Sequence, residues 1–147
     1  MGKNDFLCLY WTYTLFCKLP VVESLRTQKF RGFEVWDAIL HRTNQPSEIV
    51  SQLVIPTVAK PGLADEDKLQ PETCTQCGIT KYRSHLRGYM HLERDALDPT
   101  ADFQLTDEWF GSGGHRGYRE FLISQRVAHF ILDQGWRGVA MKPVRLV

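Results

Sequence analysis

The pentapeptide Cys74-Thr75-Gln76-Cys77-Gly78 constrains this chain more than any other feature. Two thiols two residues apart can reach one metal ion. A glycine after the second lets the chain turn tightly beneath the metal, where a side chain would crowd it. This is the shape of a zinc knuckle, with Cys74 and Cys77 as its candidate metal ligands and Zn2+ as the cofactor they imply. A structural zinc site takes four ligands, and no second Cys-x-x-Cys occurs in the 147 residues. Either the site is completed from a distance or the knuckle is a remnant kept for its turn. His85 and His91 are candidate completing ligands, giving Cys-x2-Cys-x7-His-x5-His. Seven residues are too few for the strand and helical turn of the common nucleic-acid-binding fingers, which place about twelve between the pairs. Cys8 and Cys17 could approach through space, though their spacing is not a knuckle's. A redox dithiol would sit where a strand meets a helix N-terminus, whereas the residues after Gly78 alternate like a strand.

A hydrophobic fraction of 43% and a charged fraction of 24% describe a globular chain of one-domain size. Eighteen basic and seventeen acidic side chains leave a formal charge of +1. No global field therefore draws it to nucleic acid or anionic lipid, and electrostatic recognition has to be local. Four cysteines do not make a disulfide scaffold at this length, which points to a reducing, cytoplasmic compartment. The apolar opening FLCLYWTYTLFC, residues 6–17, is about half the roughly 20 residues that a membrane span needs and lacks a small-residue cleavage site. It reads as a buried strand, and no membrane association is expected.

The expected architecture is α+β: a single domain over residues 1–147, mainly antiparallel or mixed sheet with few helices, residues 1–20 being the apolar strand segment. Residues 21–29 suit a short helix with Val22, Leu25 and the Lys29 stem on one face. Strands are expected over 33–41 and 49–58, with a turn at Asn44-Gln45-Pro46 and Pro56 confining the far end of the second to an edge or bulge. Residues 60–72, rich in proline and acids, form an exposed loop that delivers the chain to the knuckle. Another strand is centred on Tyr89-Met90-His91-Leu92. Asp102-Phe103-Gln104-Leu105 is short and extended, and Thr106-Asp107-Glu108 could cap one helical turn carrying Trp109 and Phe110. Phe121-Leu122-Ile123 reads as a buried strand. Ser124 then caps a helix over 125–134 that carries Val127, Phe130 and Ile131 at helical spacing, and Gly135 closes it. Val139-Ala140-Met141 starts a terminal strand and Pro143 ends the regular part. No internal repeat or low-complexity run appears.

Residues 81–94 (KYRSHLRGYMHLER) interleave Lys81, Arg83, Arg87 and Arg94 with Tyr82 and Tyr89. A single nucleic-acid strand would bind such a pattern through phosphates and stacked bases. The plainer reading is one strand with a solvated basic face. Gly111-Ser112-Gly113-Gly114-His115-Arg116-Gly117 matches neither phosphate-loop pattern and leads into a strand where both motifs open a helix. Ser112 and Ser124 are on no nucleophile elbow, and the pairs Glu93/Asp95 and Asp107/Glu108 read as surface carboxylates. No catalytic and no cofactor-binding residue is expected, and the chain reads as no enzyme.

The second half carries a resemblance. Asp102-Phe103, then Thr106-Asp107-Glu108-Trp109-Phe110-Gly111-Ser112-Gly113, then Leu122-Ile123-Ser124-Gln125-Arg126-Val127, then Gly135-Trp136-Arg137-Gly138-Val139 and Pro143-Val144 follow in an order similar to that of the double-CxxCG-motif proteins of myxobacteria. Some of these are immunity proteins of swarm-inhibition toxin systems. The resemblance runs from about Cys74 to Val144, and Cys74 to Gly78 corresponds to the second of that family's two knuckles. The first CxxCG is missing here, and the N-terminal segment matches nothing in the family. The resemblance implies a bacterial cytoplasmic protein that binds one cognate toxin and blocks it, with no chemistry of its own. Trp109, Phe110 and Trp136 are candidate anchors for that partner, since aromatics dominate interface hot spots; the alternative places all three in the core. The competing function is a zinc-ribbon-like module that binds nucleic acid through residues 81–94.

Overall fold

The computed structural model describes residues 2–9, 13–84, 88–113 and 116–147. The apolar opening is two strands and not one. Strand β1 (Phe6–Leu9) pairs antiparallel with β2 (Thr14–Lys18), Phe6 opposite Cys17 and Leu9 opposite Thr14; residues 10–12 lie outside the described residues. A run this long would need both faces covered as a single strand. Folded back, it sets Phe6 and Cys17 side by side in the core.

Helix α1 (Leu19–Thr27) follows directly, with proline in its first turn, where the N–H has no helical partner to lose. Its buried face is Val21, Val22 and Leu25. Lys29 does not lay its stem on that face. It ends the helix in a left-handed conformation, φ 56°, with its N–H on the Arg26 carbonyl and that of Phe30 on Leu25. Glycine usually fills this position. Lys29→Gly is expected to raise stability by about 0.5 kcal/mol, the relieved strain exceeding the entropy a glycine adds to the unfolded chain. A thermal midpoint that fell would contradict this.

Strands β3 (Glu34–Leu40) and β4 (Gln45–Val54) complete a four-stranded antiparallel sheet in the order β1-β2-β4-β3. The turn lies earlier than its composition suggests. Asn44 takes the left-handed position and donates to the Leu40 carbonyl, so Gln45 and Pro46 already belong to β4. Pro56 falls beyond the end of that strand.

The second half is built from short pieces: β5 (Glu72–Thr73), β6 (Thr80–Tyr82), β7 (Met90–Leu92), β8 (Phe103–Leu105), β9 (Trp109–Phe110), β10 (Phe121–Ile123), α2 (Gln125–Asp133) and β11 (Val144–Leu146). They pair as β5-β6-β9, β10-β8 and β11-β7. Two cores result. The first joins α1, α2 and the inner face of the large sheet, including Phe6, Leu25, Leu53, Phe103 and Val127. The second gathers Leu63, Leu69, Leu92 and Phe110.

Three expectations are corrected here. Residues 60–72 are not a free loop, because Leu63 and Leu69 are buried and anchor the segment in the second core and the Asp65 side chain turns in toward His91, while Pro61, Glu66 and Pro71 stay outside. Trp109 and Phe110 are not on a helical turn. The Thr106 hydroxyl donates to the Glu108 carbonyl and accepts the Glu120 N–H, which leaves Trp109 and Phe110 free to pair with β6. The terminal strand begins after Pro143, not before it: Val139 and Met141 pack on the first core as irregular chain, and β11 runs parallel to β7.

A repeat invisible in the sequence organises the whole. Asp5-Phe6 opens the hairpin that leads into α1, and α1 ends in Phe30-Arg31-Gly32. Asp102-Phe103 opens the β8–β10 pair that leads into α2, and α2 ends in Trp136-Arg137-Gly138. Each half's tail clamps the other half's head. The Arg31 carbonyl accepts the N–H groups of Asp102 and Phe103 at 2.9 and 3.0 Å, and Arg137 does the same for Asp5 and Phe6 at 2.9 and 3.0 Å. Asp102 Oδ2 accepts the Arg31 N–H at 2.9 Å, and Asp5 Oδ2 accepts that of Arg137 at 3.0 Å. Gly32 and Gly138 both have positive φ, 92° and 97°, and both press on the carbonyl of the clamped phenylalanine. Val21 corresponds to Val127 and Leu25 to Ile131, all four buried. Few identical residues are needed for this, because the clamp uses mainly backbone groups.

Candidate functional site

The knuckle forms the tip of the β5–β6 hairpin, where Glu72 pairs with Lys81 and Thr73 with Thr80. The Cys74 N–H donates to the Ile79 carbonyl, and the Gly78 N–H donates to that of Cys74, each at 2.9 Å. Gly78 has φ 72°, and a Cβ on it would meet nothing within 4 Å. Its backbone angle requires glycine; crowding does not. The N–H groups of Cys77 and Gln76 both reach the Cys74 sulfur, and with the Cys77 thiol and the Lys81 charge they hold the Cys74 thiol below its ordinary pKa. Cys74 is half-buried and Cys77 exposed.

Adjacent thiols, N–H groups aimed at sulfur and a left-handed glycine fit half of a tetrahedral thiolate site. Zinc bound there would be held by Cys74 and Cys77, and it would supply a rigid cross-link. Among the described residues no group of three or more His, Cys, Asp or Glu side chains comes together to hold a metal. His91 is engaged elsewhere, its Nδ1 at 2.9 Å from Asp65 Oδ2. Cys17 is fully buried and its thiol pKa is pushed up to about 12 by that burial; burial raises that of Cys8 as well. Neither joins the pair. His85 lies outside the described residues.

The hairpin borders an open cleft of about 830 Å³. Trp109 forms part of its lining and is half-buried, with the Arg119 guanidinium 4.7 Å from its ring centre. Asp107 Oδ1 lies 3.7 Å from Arg119 Nη2 and pairs with that guanidinium. Tyr13 and Tyr118 contribute a stacked pair, 3.8 Å between centres and 12° between planes. Lys81 and Arg116 add positive charge to the same cleft. Lys81 Nζ also donates to the Gly113 carbonyl, while Glu72 accepts the Gly113 N–H at 3.4 Å, so the glycine-rich turn is fastened to the knuckle hairpin. Gly114 and His115 of that turn lie outside the described residues.

The three candidate anchors separate. Phe110 is fully buried in the second core. Trp136 is packed edge-on against Phe6 and Phe130, at 5.8 and 5.4 Å, and belongs to the first. Only Trp109 of the three lies in the cleft. Residues 81–94 are not one strand: β6 and β7 lie in different sheets, and His85 and Arg87 fall outside the described residues. The acidic pairs are partly structural. Glu108 Oε1 accepts the N–H groups of Gly62 and Leu63 at 2.6 and 2.8 Å, fixing the segment that leads to the knuckle.

Sequence reasoning missed Tyr13, Arg116, Tyr118 and Arg119. Tyr13 and Tyr118 are more than a hundred residues apart in the chain, and no local spacing signals their stacking. No helix among the described residues is long and apolar enough to cross a membrane. No protein-family model, no curated protein and no solved structure matches this chain.

Proposed function

We propose that this chain is a non-catalytic binding protein that neutralises a cognate protein toxin, with the cleft around Trp109 as the contact surface. One observation carries the reading: Trp109, Arg119 and the Tyr13–Tyr118 stack meet in one open, concave site. Tryptophan, tyrosine and arginine are the residue types that dominate protein–protein hot spots, because they combine large apolar area with a polar handle. Arg119, Lys81 and Arg116 favour a partner segment that carries carboxylates. The resemblance of the motif order to that of the double-CxxCG immunity proteins supports the same class of partner.

The test is affinity capture of the tagged protein from its own host, followed by co-expression. A stoichiometric protein partner, toxic alone and harmless when co-expressed with this chain, is the expected result. Trp109→Ala should weaken that complex roughly 30-fold or more, as loss of about 2 kcal/mol at a hot spot requires. Nucleic acid in place of a protein partner, with binding that falls steeply as salt rises, would instead favour the nucleic-acid module.

A further inference from the structure

We infer that the knuckle is one half of a shared metal site, and that two copies of this chain bind a single zinc ion through Cys74 and Cys77 of each. Both thiols stand at the tip of a two-stranded hairpin, Cys77 exposed and Cys74 half-buried, so a second body can approach the pair from outside. The hairpin fixes the turn that carries the pair: the Gly78 N–H donates to the Cys74 carbonyl, the Cys74 N–H donates to that of Ile79, and Gly78 holds the left-handed conformation. No further thiol, imidazole or carboxylate among the described residues joins the pair. The remaining cysteines belong to the first hairpin, and Cys17 is sealed in the core. The same thiol pair on another copy, related by a two-fold axis through the metal, completes the tetrahedron.

Charge agrees with this. Four thiols bind one Zn2+ and release four protons, which leaves a tetrathiolate centre of net charge −2. Lys81, Arg116 and Arg119 line the cleft that Cys74 and Cys77 border. They offset that charge from both sides of the joint. The inference does not rest on the toxin-binding reading, which calls for no metal, although both use the cleft that Lys81, Arg116 and Arg119 line.

The experiment is a zinc titration of the reduced, metal-free full chain, followed by light scattering for mass and by metal analysis. The expected result is a doubled mass that saturates at half an equivalent of zinc and reverses with chelator. Cobalt in place of zinc should show the strong visible bands of a tetrahedral thiolate site. Cys77→Ser should stay monomeric at every zinc concentration with unchanged circular dichroism, whereas the His85→Ala/His115→Ala double variant should still dimerise. One zinc per chain at monomer mass would overturn the inference, as would a zinc-dependent dimer that survives Cys77→Ser. Failure to bind zinc or cobalt at micromolar concentrations would overturn it too.

Discussion

Gly138→Ala is expected to destabilise the protein by about 3 kcal/mol or more, lowering the thermal midpoint by roughly 10 °C. A Cβ at Gly138 would lie 2.1 Å from the carbonyl oxygen of Phe6, and the residue's φ of 97° is one that L side chains rarely adopt. The obstacle is backbone on both sides, so no side chain can swing away. Gly32→Ala should behave alike, since its Cβ would stand 2.2 Å from the Phe103 carbonyl oxygen at φ 92°. Gly113→Ala is the control: its φ is also positive, at 57°, but nothing lies within 4 Å. It should lose only the strain of the left-handed region, about 1 kcal/mol. Because each clamp joins the head of one half to the tail of the other, either clamp variant should still unfold in a single transition. Urea denaturation followed by both fluorescence and circular dichroism reads this. Two separated transitions, or a Gly138→Ala midpoint equal to that of Gly113→Ala, would contradict the reciprocal clamp.

Asp102→Ala is expected to destabilise by about 3 kcal/mol for a different reason. The Asp102 carboxylate is 6% exposed and accepts from four donors: Arg126 Nε and Nη2 at 2.6 Å each, the Ser124 hydroxyl at 2.7 Å and the Arg31 N–H at 2.9 Å. Truncation strands the Arg31 N–H and loosens the cap of α2. The paired Arg126 guanidinium, more than the Ser124 and Arg31 bonds, holds the Asp102 pKa down at about 2, below its ordinary 3.8. A carboxylate with a lowered folded pKa stabilises fully above its unfolded pKa, and that stabilisation is lost as pH falls through the folded value. For Asp102 the window runs from about pH 4 to about pH 2. Asp5 works in the same direction, held low chiefly by the Arg137 N–H. Stability should therefore fall steeply below pH 4 in the parent and less steeply in Asp102→Asn, which has no charge there to lose. Urea midpoints at pH 7, 4 and 2.5 measure it. Equal acid sensitivity in the two proteins would remove Asp102 from the account.

The clamp also explains which sequence signals were legible and what they meant. Asp102-Phe103, Ser124-Gln125-Arg126-Val127 and Gly135-Trp136-Arg137-Gly138 stood out as an ordered set of motifs, and in the structure they meet. Ser124 and Arg126 bind Asp102 from the cap and first turn of α2. Gly135 closes that helix, its N–H on Leu132 and that of Trp136 on Ile131. Trp136 then enters the core, and Gly138 seats β1. These motifs maintain the frame, and of their aromatics Phe103, Trp109, Phe110 and Trp136 only Trp109 lines the cleft. Backbone groups of Arg137 hold the start of the N-terminal segment, and they leave no mark in its own residues beyond Asp5 and Phe6.

From the sequence alone come the elements whose causes are local. Val22, Leu25, Val127 and Ile131 recur at helical spacing, Ser124 caps and Gly135 stops α2, and Cys74 to Gly78 closes its own tight turn. These need only neighbours a few residues away. Tertiary structure alone decided that residues 6–17 fold back into a hairpin, that Trp109 and Phe110 extend as a strand, and that the last strand follows Pro143. It also set Tyr13 on Tyr118 and each Arg-Gly on the other half's Asp-Phe. Those outcomes depend on which distant backbone offers an acceptor and which core has room, and that information is spread over residues a hundred positions apart.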